Sequence, residues 1–248
     1  MPPVTRAAIL CGGRGERLRP LSDYFQKVMI PIGPKKLPAL AYIIKLMTYH
    51  GIDKVALLTG YRSEDIKHYF GSGAQFGVDV TYSEDEKDLK GSLNAVANAL
   101  KNGAIPKCDE LLIYYGDIIA DLDLTALMST HRKSKADATL VLSKGYSLPV
   151  GIAEVKAGMV ESFKEKPLLD MSVATGCVLV GPRSMSLISR FAGPKKTDLM
   201  THFVPELLGS GGKVAAFYTD KEWHDIGTIA GFEKLNAELG RRPLKYMS

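Results

Sequence analysis

Three short apolar runs in this chain each end at a glycine, and the stretches between them carry helical stripes. Val4–Cys11 precedes Gly12, Lys54–Thr59 precedes Gly60, and Glu110–Tyr115 precedes Gly116. Within Pro38–His50, Leu40, Ile43, Ile44 and Met47 fall at i, i+3, i+4 and i+7, and Gly51 supplies the stop. Ser63 to Phe70 and Ser92 to Leu100 read as helices capped by their serines, with a strand over Val78–Ser83 between them. A helix over Asp123–Ser134 and a strand over Ala138–Leu142 follow. Alternation at this spacing requires crossover connections and a mostly parallel sheet covered on both faces, so the fold class is α/β. Ligands of such sheets sit beyond the carboxyl ends of the strands. The three glycines are therefore expected to line the edge that carries the site.

The last third changes character. Gly151–Val155, Met159–Phe163 and Ala174–Val180 are strand-like and separated by turns, which predicts hairpins. A helix over Thr197–Leu208, a strand over Lys213–Tyr218 and a closing helix over Thr228–Leu239 complete the pattern. No Ser/Pro/Gly linker and no internal repeat divides the chain, so 1–248 is read as one domain with an elaborated second lobe.

Several function classes are excluded early. The net charge of +5 is not organised into an arginine-rich stripe, so no nucleic-acid partner is expected and the excess reads as mild attraction for anions. Cys11, Cys108 and Cys177 are odd in number and far apart, with neither a disulfide framework nor a zinc spacing. No run approaches the ~18 apolar residues of a membrane helix. The expected setting is cytoplasmic, with no membrane partner.

The loop after the first strand, Leu10-Cys11-Gly12-Gly13-Arg14-Gly15-Glu16-Arg17-Leu18-Arg19-Pro20-Leu21, carries the strongest chemical signal. Its glycines let backbone N–H groups approach an anion, and Arg14, Arg17 and Arg19 add forked cations suited to a polyphosphate. The order Gly-Gly-x-Gly is neither the dinucleotide fingerprint nor the Walker loop.

This loop resembles the opening signature of the sugar-1-phosphate nucleotidylyltransferases, and further segments match in order as far as Asp225. The resemblance implies a three-layer α/β/α sandwich with a Rossmann-like, mostly parallel mixed sheet. Its nucleotide-binding half would be 1–145 and its sugar-phosphate-binding half, with the C-terminal helix, 146–248. It implies nucleotide contacts from Leu10, Gly12, Gly13, Gly15 and Arg17. Gln26-Lys27-Val28-Met29-Ile30-Pro31 is similar to the family's Pro-Lys stretch, which makes Lys27 the phosphate lysine, with Gln26 standing where the family has proline. Tyr115-Gly116-Asp117 and Trp223-His224-Asp225 match the elements that supply two metal-binding aspartates, Asp117 and Asp225, and imply Mg²⁺ as cofactor. His224 is not expected as a ligand, since Mg²⁺ rarely takes imidazole.

Leu89-Lys90-Gly91-Ser92-Leu93-Asn94 resembles the family's helix start beside the base, which assigns Gly91 to the nucleotide and Ser92 to the N-cap. Asn94 departs there from a glycine, and Glu16 from a Ser/Thr. The acidic run Glu84, Asp85, Glu86 and Asp88 yields no base-reading side chain. Gly151, Glu165, Lys166 and Thr175 match the sugar-phosphate elements. Arg17, Lys27 and Asp117 are then the catalytic set, and NTP and sugar 1-phosphate the substrates. Self-association fits such a family, and no hexapeptide repeat announces an appended β-helix.

Two other readings stay open on the sequence. Asp121-Leu122-Asp123 has the Asp-x-Asp form of an NDP-sugar-dependent glycosyltransferase, although its position also suits a helix cap. A non-catalytic subunit that binds nucleotide sugars would keep the same fold.

Overall fold

The computed structural model describes residues 3–85, 90–147, 150–193 and 195–247. Glu86, Asp88 and Leu89, part of the segment read above as lying near the base, fall outside the described residues. The strands are β1 (Thr5–Leu10), the short pair β2 (Pro31–Ile32) and β3 (Leu37–Pro38), β4 (Lys54–Thr59), β5 (Asp79–Glu84), β6 (Glu110–Tyr115) and β7 (Ile118–Ala120). They continue with β8 (Ala138–Ser147), β9 (Ile152–Lys156), β10 (Met159–Lys164), β11 (Leu168–Val180), β12 (Val214–Thr219) and β13 (Trp223–Asp225). The helices are α1 (Leu21–Tyr24), α2 (Ala39–Tyr49), α3 (Ser63–Phe70), α4 (Ser92–Lys101), α5 (Leu124–Ser134), α6 (Pro182–Ile188), α7 (Val204–Gly209) and α8 (Ile229–Arg241).

Seven strands form one sheet in the order β12-β8-β11-β6-β1-β4-β5. β11 alone runs against its neighbours, pairing antiparallel with both β6 and β8. The other contacts are parallel, as the crossover pattern required. Side chains alternate across the pleat, so each strand feeds two cores. Ala7, Ile9, Leu112 and Tyr114 join the core under α2. Ala8, Leu111 and Ile113 join Leu93, Val96 and Ala97 of α4 in the other. Two apolar layers on opposite faces of one sheet are what an α/β/α sandwich requires.

The structure corrects several local expectations. Ser63 and Ser92 are the first helical residues rather than caps; Arg62 and Gly91 hold the cap positions, neither through a side-chain bond. Ser92 is engaged elsewhere: its Oγ accepts from the Leu199 N–H at 2.9 Å and meets the Tyr115 hydroxyl at 3.1 Å. The helix expected from Thr197 begins only at Leu199, as a π-turn to Phe203 that leads into α7. Of the predicted hairpins, β9 and β10 form one, whereas Ala174–Val180 belongs to β11 inside the main sheet. Helix α6 was not anticipated, though Pro182 in its first turn after Gly181 is a start signal. No helix among the described residues is long and apolar enough to cross a membrane.

Candidate active site

β6, β1 and β4 are parallel neighbours, so Gly116, Gly12 and Gly60 emerge at one edge. Packing there is close. The Gly116 N–H donates to the Leu10 carbonyl at 3.0 Å, and a Cβ on Gly116 would sit 2.6 Å from that oxygen. The Gly12 carbonyl accepts from the Tyr61 N–H at 3.2 Å. Above Gly13 a Cβ would meet nothing within 4 Å, so the loop's outer face is open to a ligand. Gly15, at φ +68°, rests on the Lys27 side chain, with a Cβ there only 3.0 Å from that of Lys27.

Of the loop's three arginines, Arg17 reaches the Gly227 position beside Lys27 and Asp225. The Arg14 guanidinium lies over the Tyr61 ring at 5.5 Å, and Arg19 pairs with Asp23 on the surface. Glu16, the acidic departure, is exposed in the short turn before Leu18.

Gln26 explains how Lys27 is held without the family's proline. Its side chain is fully buried; its Nε2 donates to the Cys11 carbonyl at 2.5 Å, and its Oε1 accepts from the Val28 N–H at 2.6 Å. One amide thus caps the turn carrying Lys27 and ties that turn to the end of β1.

The two aspartates are brought together by a three-residue pairing that the sequence did not announce. β7 and β13 run antiparallel with Asp225 opposite Ile118, and the Ile226 N–H donates to the Asp117 carbonyl at 2.9 Å. Lys27 Nζ is ion-paired with Asp117 Oδ2, both side chains largely shielded. Asp225 Oδ1 accepts from the Gly227 N–H at 2.6 Å. A Cβ on Gly227 would lie 2.6 Å from Asp225 Oδ1, 2.9 Å from Lys27 Nζ and 3.1 Å from Arg17 Nη2. Arg17, Lys27, Asp117 and Asp225 therefore converge from four segments on one point, which only a glycine leaves free. Two carboxylates with open oxygen lone pairs suit a hard divalent cation that keeps phosphate and water oxygens as its remaining ligands.

His224 points to the opposite face of β13 from Asp225. It is buried and contacts Glu238 at 2.6 Å and Glu222 at 3.9 Å, and burial lowers its pKa. Among the described residues this trio is the one group of three or more potential ligands gathered within 4.8 Å, and sequence reasoning did not find it.

Gly91, at φ +102°, is wedged against the backbone of Thr197. Asn94 makes that arrangement: its Nδ2 donates to the carbonyls of Lys90 at 2.8 Å and Lys195 at 2.7 Å. The Thr197 N–H also donates to the Lys90 carbonyl, and the Leu93 N–H to that of Thr197, each at 3.1 Å.

In the second lobe, Gly151 faces Glu165, whose Oε2 is 2.8 Å from where a Cβ on Gly151 would be. Glu165 and Lys166 are exposed, Lys166 with φ +45°. Thr175 is buried and its hydroxyl donates to the Val141 carbonyl at 3.1 Å, so its side chain packs beneath this surface rather than facing it. Gly176 abuts Tyr115 and Ile118, linking the lobe to the strand end that carries Asp117. Asp123 caps α5 by accepting from the Ala126 N–H at 2.8 Å, which gives the second aspartate of the Asp-x-Asp pattern a structural role. A cavity of about 420 Å³ beside Gly33, Phe232 and Asn236 contains none of these groups.

The sequence model of the family described as nucleotidyl transferase matches residues 6–242. Glucose-1-phosphate cytidylyltransferase of Salmonella typhimurium is 30% identical over 262 residues, covering 97% of this chain and 98% of that protein. UTP–glucose-1-phosphate uridylyltransferase of Synechocystis is 30% identical over 247 residues, covering 92% of this chain. The chain spans 61% of the length of that relative, and 64% and 65% of two others. Among solved structures, HddC from Yersinia pseudotuberculosis complexed with GMP-PN superposes with a TM-score of 0.73 at 19% identity, over 95% of this chain and 99% of that one, a likeness of fold.

Proposed function

This chain belongs to the nucleotidyl transferase family, and we propose that it joins a nucleoside triphosphate to a sugar 1-phosphate, yielding an NDP-sugar and pyrophosphate. A phosphate oxygen of the sugar 1-phosphate attacks the α-phosphorus. The bond from the α-phosphorus to the bridging oxygen of the β-phosphate breaks, and pyrophosphate leaves in line. The observation that carries this reading is the convergence of Arg17, Lys27, Asp117 and Asp225 above Gly227, at the edge where the glycine loop opens.

Phosphoryl transfer of this kind rests on positioning and charge stabilisation. The loop amides and Arg17 hold the triphosphate. Lys27, already beside Asp117, meets the charge that grows on the α-phosphate as the five-coordinate state forms. Asp117 and Asp225 would hold Mg²⁺, which when bound neutralises phosphate charge. Glu165 accepts hydrogen bonds from sugar hydroxyls, and Lys166 and Gly151 frame the acceptor phosphate. Thr175 supports that surface from below. No general base is needed, because a phosphate monoester is already anionic near pH 7.

The free thiols of Cys11, Cys108 and Cys177 fit a reducing, cytoplasmic setting. Self-association fits the reading, which requires no nucleic acid or membrane.

The test crosses the common NTPs, including dTTP, with a panel of sugar 1-phosphates in the presence of Mg²⁺ and follows pyrophosphate, with Asp117→Asn as control. Release that needs both substrates and fails in the control is expected. Nucleotide binding without turnover across the whole matrix would instead mark a binding subunit.

A further inference from the structure

The face of β13 turned away from Asp225 carries a second group of ligand-type side chains. Glu222 and His224 stand two positions apart at the start of this strand, so both point to the side opposite Asp225. Glu238 reaches them from the last turn of α8. His224 Nε2 lies 2.6 Å from Glu238 Oε2 and 3.9 Å from Glu222 Oε2. One ligand atom from each of the three residues falls within 4.8 Å of the others. The imidazole side chain is only 7% exposed and that of Glu222 76%, so the group has a buried wall and one side open to water.

Side chains alone leave this group with an excess of negative charge. Glu238 by itself satisfies the His224 Nε2, and Glu222 brings a second carboxylate to the same nitrogen. The Lys234 ammonium stands 3.9 Å from the other Glu238 oxygen, too far for a hydrogen bond. Burial and the facing Glu222 hold the Glu238 carboxyl above its usual range. The spacing also suits an ion. Two ligands each ~2.1 Å from a tetrahedral metal are roughly 3.4 Å apart. The two separations at Nε2, 2.6 and 3.9 Å, bracket that distance, and the exposed Glu222 side chain is free to rotate inward.

We propose that Glu222, His224 and Glu238 form a second cation site, for a divalent transition metal of the Zn²⁺ class, which clamps the end of α8 to β13. One imidazole nitrogen with two carboxylate oxygens is a mixed donor set that Zn²⁺ accepts in four-coordinate geometry. The open side beside Glu222 admits water as the fourth ligand. Mg²⁺ demands octahedral oxygen ligands and dehydrates reluctantly, so this set selects against it. The strand itself separates the site from the aspartate pair, because Asp225 and His224 are successive residues on opposite faces. The ion supplies the positive charge that the two glutamates lack. It also bridges two elements that otherwise meet here through one histidine–glutamate contact. The inference goes beyond the transfer reaction and does not rest on it.

The experiment titrates Zn²⁺ into chelator-treated protein in excess Mg²⁺, which fills any all-oxygen site. Calorimetry reads the stoichiometry and affinity, and thermal melting reads the clamp. One Zn²⁺ per chain is expected, and at about a hundred times Kd the melting temperature should rise by roughly 5–10 °C. Glu222→Gln and Glu238→Gln should each weaken binding at least ~tenfold, the lower bound for losing even a supporting group. Glu233→Gln, which removes an exposed charge from the same helix, should bind as wild type does. Asp117→Asn should also bind as wild type does. No Zn²⁺ uptake in excess Mg²⁺ overturns the proposal, and so does undiminished affinity in both trio variants. Uptake lost in Asp117→Asn overturns it as well, since the ion then belongs to the aspartate pair. Uptake with no rise in melting temperature overturns the clamp.

Discussion

Lys27 and Asp117 stand 90 positions apart in sequence and form an ion pair whose partners are both mostly screened from solvent. The pair joins the glycine loop's neighbour segment to the end of β6, and Asp225 enters the same group through the β7–β13 pairing. An ammonium so placed is preorganised to meet charge developing on a phosphate. Lys27→Ala is expected to lower kcat on the order of 10²–10³, the scale of losing one preorganised donor. Steady-state kinetics with saturating substrates check this, and a variant within threefold of wild type removes Lys27 from the chemistry.

Gln26 provides a sharper comparison. Its φ of −62° suits proline, and Phe25 before it is extended, as a residue preceding proline must be. Gln26→Pro therefore keeps the backbone while losing the side-chain bonds. Gln26→Ala has neither the ring nor the bonds, and both variants leave the Cys11 carbonyl and the Val28 N–H without the Gln26 amide. A buried group left unsatisfied costs roughly 1–3 kcal/mol, so Gln26→Ala should be destabilised by about that amount. The expected order of kcat is wild type, then Gln26→Pro, then Gln26→Ala. Urea melts and kinetics on both variants test it; Gln26→Ala matching wild type in both would show that the amide does not position Lys27.

Gly91 tests whether the loop above α4 is held as tightly as its geometry states. At φ +102° an alanine is strained, and its Cβ would run into the Thr197 backbone. Gly91→Ala should cost at least ~2 kcal/mol, the scale of a side chain forced into a sparsely populated region. It should also raise KM for the nucleotide, as read from chemical denaturation and initial rates. An alanine variant with unchanged stability would mean that the Thr197 segment moves aside freely.

These cases show what a sequence can and cannot carry. β4 and β6 begin and end where periodicity puts them, because an apolar run bounded by glycine is a local property. The glycine edge followed from the same logic. The meeting of Asp117 with Asp225 did not, since a three-residue pairing leaves no period to read and is made by tertiary contacts. Gln26 and Asn94 looked like departures from the family pattern. Each proves to hydrogen-bond the backbone that the family residue would otherwise stiffen or leave free. Ser63 and Ser92 were misread for the opposite reason: a good capping residue was drawn to partners distant in sequence, Glu84 for one and Leu199 for the other.

Asp85 makes a pH-dependent prediction that is independent of turnover. Part of its side chain meets solvent, but its Oδ2 lies against Gly12 and Gly60, and the hydration lost there raises its carboxyl from an ordinary 3.8 to about 6. The folded protein thus binds the Asp85 proton more tightly than the unfolded chain does, so stability from this group is highest below pH ~3.8 and falls as pH rises through about 6. Asp85→Asn removes that loss. The variant should melt above wild type at pH 7.5, and the gap should narrow steadily as the pH is lowered toward 4.5. Acid sensitivity shared by both proteins, from the Glu110–Arg132 pair for example, cancels in the comparison. Melting temperatures of the two proteins across this range decide the matter. A variant less stable than wild type at pH 7.5 would mean that the carboxylate is held by the fold. A more stable one would show that the fold keeps this carboxylate at the glycine edge against the cost of its lost hydration.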